Sequence, residues 1–170
     1  MKNTTRLLLA ALVCTGMVAC AKKVKEEPAP AVDTDTTTQV ETTTDTGVYS
    51  PEDLDTDSCL RQRVVYFDFD RADIRSDAEA ILACHGKYLR DRPSAAMTLE
   101  GHADERGTRE YNLGLGERRG NAVGQALQAN GGSAGQINVV SYGEERGTCS
   151  ESSEDCWGKN RRVEIVYTAK

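Results

Sequence analysis

Four stretches of the chain alternate between apolar and polar positions or are rich in β-branched residues, as strands of a half-buried sheet are. In chain order they read "QRVVYFDF", "AMTLEGH", "INVVSYG" and "RRVEIVYT". In the second stretch, Met97 and Leu99 are separated by one residue and therefore face the same side of a strand. The pattern predicts four strands that direct an apolar face to a core.

Two longer stretches between these strands have apolar residues at helical spacing. The first, "SDAEAILACHGKYLRD", begins at Ser76, which predicts an N-cap and, with Glu79, a capping box; Pro93 follows its end. The second, "YNLGLGERRGNAVGQALQAN", is stopped by "NGG". Its apolar stripe consists of Leu115, Ala122, Val123, Ala126 and Leu127. The order strand, helix, strand, helix, strand, strand predicts a two-layer α/β sandwich of about 110 residues.

The N-terminal residues have the composition of a targeting segment. A basic head, "MKNTTR", precedes the apolar run "LLLAALVCTGMVA", which is too short for a permanent membrane span. This pattern predicts a signal peptide over residues 1–19. The run ends in "MVAC", where the small residue Ala19 precedes Cys20 as in a bacterial lipobox, so Cys20 is expected to become a lipid-modified N-terminus. The alternative is ordinary secretion, in which Cys20 has no special role.

Residues 20–57 are predicted to form a disordered tether behind this anchor. No Lys or Arg occurs between Glu26 and Leu60, and "EEPAPAVDTDTTTQVETTTDTG" is dominated by Thr, Asp, Glu and Pro. Such a segment has too little apolar surface to offset the entropy of ordering it. A flexible chain of roughly 35 residues has a mean reach of roughly 30–35 Å. The folded domain is therefore expected over residues 58–170.

The acidic charge of the chain argues against one class of partner. Its net charge is -6 at pH 7, whereas non-specific binding to nucleic acid needs a basic face, so no nucleic-acid partner is expected. Aromatic residues make up only 5% of the chain, which argues against a large platform for stacking sugars.

The sequence lacks the residue sets that most enzymes and metal proteins need. His85 and His102 are the only histidines, and no Cys-x-x-Cys pair accompanies them, so no metal or other cofactor is predicted. Nucleophile elbows, phosphate loops and dinucleotide fingerprints are missing from it. Asp68 and Asp70 alternate in the first strand and share a face, but no partner base accompanies them. We therefore predict that the protein is not an enzyme.

Four cysteines follow the tether and allow three pairings. Cys149 and Cys156 lie close together in the polar loop "TCSESSEDCWG", which favours a bond between them. Cys59 and Cys84 can then meet when the first helix packs on the sheet. A buried free thiol at Cys84 is the alternative.

The stretch "GHADERGTREYNLGLGERRG" places charged residues after the second strand and into the second helix. Asp104 is predicted in the loop, and Arg119 about two turns into the helix, where its side chain leans back toward the helix N-terminus. The two side chains can pair with each other. Alternatively they can hold a zwitterion, whose ammonium group would bind Asp104 and whose carboxylate would bind Arg119. Diaminopimelate of the cell-wall peptide is such a zwitterion. Arg118 is expected to be a solvated charge, and Ala at Asp104 or Arg119 is expected to leave the fold intact.

Four segments of the chain closely resemble the family of OmpA-like peptidoglycan-associated lipoproteins, over roughly Arg63 to Tyr167. They are "VVYFDFDRADIRSDA", "LEGHADERGTREYNLGLGERRGNAV", "VVSYGEE" and "KNRRVEIVY". The resemblance implies an α+β sandwich of βαβαββ order, with two helices and a mixed four-stranded sheet whose last strand is antiparallel to the others. It also implies non-covalent peptidoglycan binding, in which residues matching Asp104 and Arg119 clasp diaminopimelate. Further residues of that pocket match Phe69, Asp70 and Leu115.

The same resemblance has implications for location and partners. It implies an outer-membrane lipoprotein with its domain in the periplasm, acting in the Tol–Pal system in cell division and envelope integrity, with TolB as a partner. Ala21 follows Cys20, where Asp is the usual signal for retention in the inner membrane. The alternative is a wall-binding lipoprotein of another envelope machine. Gly114 and Gly120 depart from the family and are expected to weaken the helix by about 1 kcal/mol each relative to Ala.

Overall fold

Four strands form a mixed sheet in the computed structural model, which describes residues 47–170. The strands are β1 (Val64–Tyr66), β2 (Ala96–His102), β3 (Ile137–Gly143) and β4 (Arg162–Ala169), and they lie in the order β1-β4-β2-β3. β4 is antiparallel to β1 and β2, whereas β2 and β3 are parallel. The predicted mixed sheet with an antiparallel last strand is therefore confirmed. The signal peptide, Cys20 and most of the predicted tether lie outside the described residues.

Helices cover one side of the sheet. Those in the described part of the chain are α1 (Asp53–Thr56), α2 (Ser76–Asp91), α3 (Arg109–Ala129) and α4 (Glu154–Asn160), and a 3-10 turn (Ala134–Gln136) precedes β3. α3 packs on β2 and β3, and α2 packs on α3. This is the predicted two-layer arrangement, to which the structure adds α1 and α4. No helix between residues 47 and 170 is long and apolar enough to cross a membrane.

The core lies between the sheet and the two long helices. Met97 and Leu99, predicted to share a strand face, are 1% and 0% exposed. Other buried apolar side chains of this cluster are Leu82, Tyr88, Leu89, Val123, Leu127, Val163 and Ile165. Burial of each large apolar side chain stabilises the fold by about 1.5–3 kcal/mol, so this face fixes how the helices sit on the sheet.

The ordered domain begins earlier than the sequence predicted. Leu54, in α1, is fully buried in the core, and Nη2 of Arg63 donates a hydrogen bond to its carbonyl at 2.6 Å. The amide of Tyr49 donates to Oδ2 of Asp91 in α2 at 3.2 Å. The prediction of disorder is therefore wrong for residues 47–57, because one apolar residue in an acidic segment supplies a core contact.

β1 is shorter than predicted and ends at Tyr66. Beyond it, the amide of Arg71 donates to the carbonyl of Asp68 at 3.3 Å, which closes a turn, and Asp70 has a φ of 59°. A left-handed residue interrupts the pleat of a strand. The prediction that Asp68 and Asp70 share a strand face is therefore wrong. Phe69 and Asp70 lie instead in the loop that leads to α2.

Helix α2 begins without the predicted capping box. The N-cap position is Arg75, which makes no side-chain cap bond, and Ser76 is the first helical residue. Nη2 of Arg75 instead pairs with Asp77 of the first turn at 2.9 Å. The predicted cap at Ser76 is therefore wrong by one position, whereas the helix ends at Asp91, ahead of Pro93, as predicted.

Helix α3 approaches the sheet closely where glycines replace side chains. A Cβ on Gly101 of β2 would lie 2.0 Å from the carbonyl oxygen of Gly116. A Cβ on Gly120 would lie 2.5 Å from Cγ1 of Val139. The sequence indicates only a propensity cost for Gly120, but the packing against β3 requires it. Gly114 makes no such close approach to the sheet.

Both disulfides that the sequence favours are present. Cys59, ahead of β1, bonds to Cys84 in α2, and the two Cα atoms are 6.3 Å apart. Cys149 bonds to Cys156 in α4, with Cα atoms 5.8 Å apart. The alternative of a free thiol at Cys84 is therefore wrong. Closing loops of this size stabilises by about 2.5–3.5 kcal/mol each in the chain-entropy account.

Candidate functional site

A pocket of about 240 Å³ lies at one end of the sheet, between the loop after β1, the loop after β2 and the first turns of α3. Its lining consists of Phe69, Asp70, Asp104, Arg106, Gly107, Tyr111, Asn112, Leu115 and Arg119. All five residues that the sequence assigned to one site are in this lining. The fold thus brings together segments that are far apart in the chain.

Asp104 lies just beyond β2 and has a buried carboxylate. The amide of Ala103 donates to the carbonyl of Gly143 at 2.8 Å, which fixes the chain where it leaves the sheet. Only 4% of Asp104 is exposed. The amide, Nε and Nη2 of Arg106 donate to the carboxylate at 3.1, 3.1 and 2.7 Å. Nη1 of Arg161 lies 3.3 Å from Oδ2.

Asp104 keeps its charge in spite of burial. Burial acts to raise the pKa of this carboxyl, but the hydrogen bonds and charge of Arg106, with the bond from Arg161, hold the pKa below its ordinary value. Asp104 is therefore an ionised acceptor at neutral pH.

The guanidinium of Arg119 is fully buried and bonded to the backbone. Nη1 donates to the carbonyl of His102 at 2.7 Å. Nε donates to the carbonyl of Arg71 at 2.8 Å, and Nη2 to that of Asp68 at 3.1 Å. An arginine has five N–H hydrogens, so one hydrogen on each terminal nitrogen remains beyond these three bonds.

Arg119 remains a cation close to Asp104. Burial lowers the pKa of Arg119 to about 10, and the charge of Asp104 opposes this shift. The side chain leans back from α3 to the end of β2, as the sequence predicted. Within residues 47–170, however, Asp104 pairs with Arg106 and Arg161 and not with Arg119. The alternative in which Asp104 and Arg119 pair with each other is therefore wrong.

Phe69, Asp70 and Tyr111 form the exposed rim of the pocket. Phe69 and Tyr111 are 55% and 46% exposed, and the hydroxyl of Tyr111 donates a hydrogen bond to Asp70. Thr108 caps α3 by accepting from the amide of Tyr111 at 3.2 Å. Leu115 lies one turn further along α3 and adds a buried apolar side chain to the lining. The aromatic and aliphatic side chains of this rim therefore lie next to the charged side chains of Asp104, Arg106 and Arg119 in the pocket lining.

The structure adds residues that the sequence pattern did not single out. Arg106 and Arg161 hold the Asp104 carboxylate, and Nδ2 of Asn112 donates to the backbone carbonyl of Asp104 at 3.1 Å. The Arg161 side chain is only 9% exposed and also donates to the carbonyl of Phe67 at 3.0 Å. "KNRRVEIVY" contains a signal for Arg161, because two charges open an apolar strand. Arg106 lies among other loop charges and is not distinguished from them by any pattern.

Both histidines are core residues outside the pocket lining. Nδ1 of His85 lies 2.8 Å from the hydroxyl of Tyr167. The ring of His102 lies 5.6 Å from the ring of Tyr142, measured between centroids. In the described part of the chain, no three His, Cys, Asp or Glu side chains are grouped so that they could hold a metal ion.

The pocket combines an ionised acceptor with a cationic donor. Asp104 suits an ammonium group, and the two remaining N–H hydrogens of Arg119 suit a carboxylate. Phe69 and Leu115 offer apolar surface to a methylene chain between such groups. The pocket therefore carries the two opposite charges, and the apolar surface between them, that a zwitterion with an aliphatic spacer would need.

The βαβαββ order, the mixed sheet and the charged pocket at its end define an OmpA-like α+β domain. The family model described as OmpA family matches residues 66–161. The chain belongs to the OmpA family.

Similar proteins include two curated relatives and one solved structure. The peptidoglycan-associated lipoprotein of Pasteurella multocida (strain Pm70) is 37% identical over 167 residues, 98% of this chain and 100% of that protein. The peptidoglycan-associated lipoprotein of Haemophilus influenzae is 43% identical over 121 residues, 71% of this chain and 76% of that protein. The crystal structure of the peptidoglycan-associated lipoprotein from Burkholderia pseudomallei is 40% identical, with a TM-score of 0.66, and covers 67% of this chain and 97% of that chain.

Proposed function

We propose that this chain is an envelope lipoprotein whose OmpA-family domain binds peptidoglycan non-covalently through the diaminopimelate of the wall peptide. The observation that carries the proposal is the pocket that gathers Asp104 and Arg119 with Phe69, Asp70 and Leu115. The name of the relatives in Pasteurella multocida and Haemophilus influenzae, peptidoglycan-associated lipoprotein, supports the same ligand class.

In the proposed complex, Asp104 accepts the side-chain ammonium of diaminopimelate and Arg119 binds its carboxylate. Bonds between a charged donor and a charged acceptor are about twice as strong as neutral ones, so this pair of contacts orients the ligand. The proposed activity is binding without bond cleavage. The nine lining residues, all within the described part of the chain, include no Ser, Cys, His or Lys. Asp70 accepts a bond from Tyr111, and Asp104 is held by Arg106 and Arg161, so the acidic and phenolic groups of the lining already have partners.

Asp104→Asn is expected to raise the Kd for diaminopimelate-containing peptidoglycan by roughly ten- to hundredfold. Asn keeps the size of the side chain but removes the charge that would hold the ammonium, and such a charged hydrogen bond contributes about 1.5–3 kcal/mol. The measurement is the fraction of protein that co-sediments across a range of wall concentrations. The supernatants are also analysed for released wall fragments.

Glu117→Gln is the matched control, because it removes an exposed carboxylate of α3 that is outside the pocket lining. It should sediment like the wild type. Wall that contains lysine in place of diaminopimelate lacks the second carboxylate and should bind poorly. Equal sedimentation of Asp104→Asn and wild type would place the site elsewhere, and fragments in the supernatant would indicate hydrolysis.

The lipid anchor is the second part of the proposal, and it rests on the sequence "MVAC" that ends at Cys20. Cys20→Ala is expected to move the exported protein from the membrane to the soluble periplasmic fraction, because the variant has no acylation site at that position. Labelled fatty acid should mark the wild type and not the variant. Label on the Cys20→Ala protein would contradict the anchor.

An outer-membrane location, with the domain in the periplasm, and a role in the Tol–Pal system with TolB as a partner complete the proposal. Ala21 after Cys20 supports the location, and the relatives' name supports the system. A wall-binding lipoprotein of another envelope machine would differ in its partner. Cross-linking in living cells followed by detection of TolB therefore distinguishes the two.

A further inference from the structure

The carboxylate of Asp104 has no unused acceptor position in this structure. Three donors of Arg106 and one of Arg161 contact it, two on each oxygen. A carboxylate offers about four lone-pair sites, so all of them are occupied. Asp104 is also only 4% exposed. An ammonium group can therefore bind Asp104 only if one of these donors leaves.

Arg106 is the donor that is free to leave. Its side chain lines the pocket and is 30% exposed. The Arg161 side chain is 9% exposed and is tied to the carbonyl of Phe67 at 3.0 Å as well. Glu154 lies 3.6 Å from Nη1 of Arg106 and offers the departing guanidinium a second carboxylate. The Arg106 guanidinium thus occupies the position that an ammonium ligand needs and has another acceptor beside it.

Two aromatic rings hold Arg106 in this position. The ring centroids of Phe69 and Trp157 lie 4.0 and 4.1 Å from its guanidinium carbon. Such contacts between a cation and an aromatic face stabilise the stacked conformation. Trp157 belongs to α4 and is the only tryptophan of the chain. The strength with which Arg106 is held therefore depends on a helix outside the pocket lining.

Helix α4 is itself fixed beside the loop after β2. The disulfide Cys149–Cys156 ties its first turn to the preceding loop. Nε1 of Trp157 donates to Oε1 of Glu105 at 3.1 Å, and the hydroxyl of Ser152 donates to the same oxygen at 2.8 Å. The indole is consequently held in one orientation against the pocket.

We infer that Arg106 is an affinity-determining residue of the pocket: it is the resident cation of the ammonium position, and the rings of Phe69 and Trp157 set how readily a ligand displaces it. This inference rests on the proposed function. A ligand must replace the bonds of Arg106 to Asp104 before it gains its own. Removing Arg106 therefore tightens binding, which is the opposite of what the loss of a ligand contact would do.

Arg106→Gln and Arg106→Ala are expected to lower the Kd for a soluble diaminopimelate muropeptide by about two- to fivefold, the range of a partly exposed ion pair. Trp157→Ala should lower the Kd less, and in the Arg106→Ala background it should change nothing. Calorimetric titration gives the Kd values. Tryptophan fluorescence gives a second readout: binding to the wild type should alter the Trp157 emission as Arg106 leaves, and binding to Arg106→Ala should not.

Lys159→Ala, which removes an exposed charge elsewhere on α4, is the control and should bind like the wild type. Denaturation of each variant verifies that it is folded, and Arg106→Gln provides the test if Arg106→Ala is not. A higher or unchanged Kd for the folded Arg106 variant would overturn the inference while leaving the proposed function intact. Failure of the wild type to bind would contradict the proposed function itself.

Discussion

Replacing Arg119 by Ala is expected to lower the free energy of unfolding by about 3–5 kcal/mol. Three backbone carbonyls, those of His102, Arg71 and Asp68, lose a charged donor at the same time. These carbonyls belong to the loop after β1 and to the end of β2, and Arg119 is fully buried between them. The bond to His102 is buried and the other two are partly buried. A buried acceptor left without a donor costs its full desolvation penalty, so the effect exceeds that of an ordinary surface substitution.

Denaturation in urea, followed by circular dichroism, measures this loss. Arg118→Ala is the matched control, because the neighbouring side chain is exposed and its guanidinium carbon lies 5.5 Å from the centroid of the Tyr111 ring. That variant should stay within about 0.5 kcal/mol of the wild type. A loss below about 1 kcal/mol in Arg119→Ala would mean that water enters and satisfies the three carbonyls.

The buried position of Arg119 changes how its role in binding is tested. The sequence suggests that Ala at this position leaves the fold intact, but the carbonyl bonds show that Arg119 also holds the pocket walls together. Failure of Arg119→Ala to bind peptidoglycan would therefore not distinguish the loss of a ligand contact from a rearrangement of the pocket itself. Asp104→Asn changes one charge with little change of shape, but its amide nitrogen cannot accept the bonds that Arg106 and Arg161 donate. The free energy of unfolding of this variant is therefore measured beside its Kd.

Most of the fold follows from periodicity in the sequence. The predicted β2 and β3 coincide with Ala96–His102 and Ile137–Gly143, because alternation and β-branched residues end there together. β1 was extended too far by the same rule, since "FDF" continues the alternation. The strand ends at Tyr66, and the turn that follows contains Asp70 in the left-handed conformation, which leaves no mark in a hydropathy pattern.

The partners of the site residues were harder to predict than the residues themselves. Resemblance to the family indicated all five lining residues, but Arg119 bonds to backbone carbonyls, and every residue has a carbonyl. α4 was missed because its seven residues, "EDCWGKN", have no apolar repeat and lie in a polar loop. Trp157 was missed with it, and so was the aromatic contact to Arg106.

Acidification from pH 6.5 to pH 4 is expected to lower the free energy of unfolding by about 3 kcal/mol through His102. Burial, with the charges of Arg162 and Arg146, lowers the pKa of His102 to about 4, and Glu164 only partly opposes them. Neither ring nitrogen has a hydrogen-bond partner among the described residues that would stabilise the proton. In the unfolded chain the pKa of His102 is near 6.5, so on acidification His102 is protonated in the unfolded chain before it is protonated in the folded protein.

The sign of the effect follows from this order of protonation. The contribution of His102 is complete above pH 6.5 and is lost at about 1.4 kcal/mol per pH unit until the folded protein also binds the proton near pH 4. His85 acts in the same direction, because burial lowers its pKa as well. Urea denaturation at several pH values between 7 and 4.5 measures the slope.

His102→Phe is the test of this assignment, because it keeps a ring against Tyr142 but removes the titration. The free energy of unfolding of this variant should change with pH only through its remaining titratable groups. Parallel curves for wild type and His102→Phe would show that the pH dependence arises elsewhere. The effect should also reach the pocket, because the carbonyl of His102 accepts the 2.7 Å bond from Nη1 of Arg119. Binding of peptidoglycan should therefore weaken over the same pH interval in the wild type and less in His102→Phe.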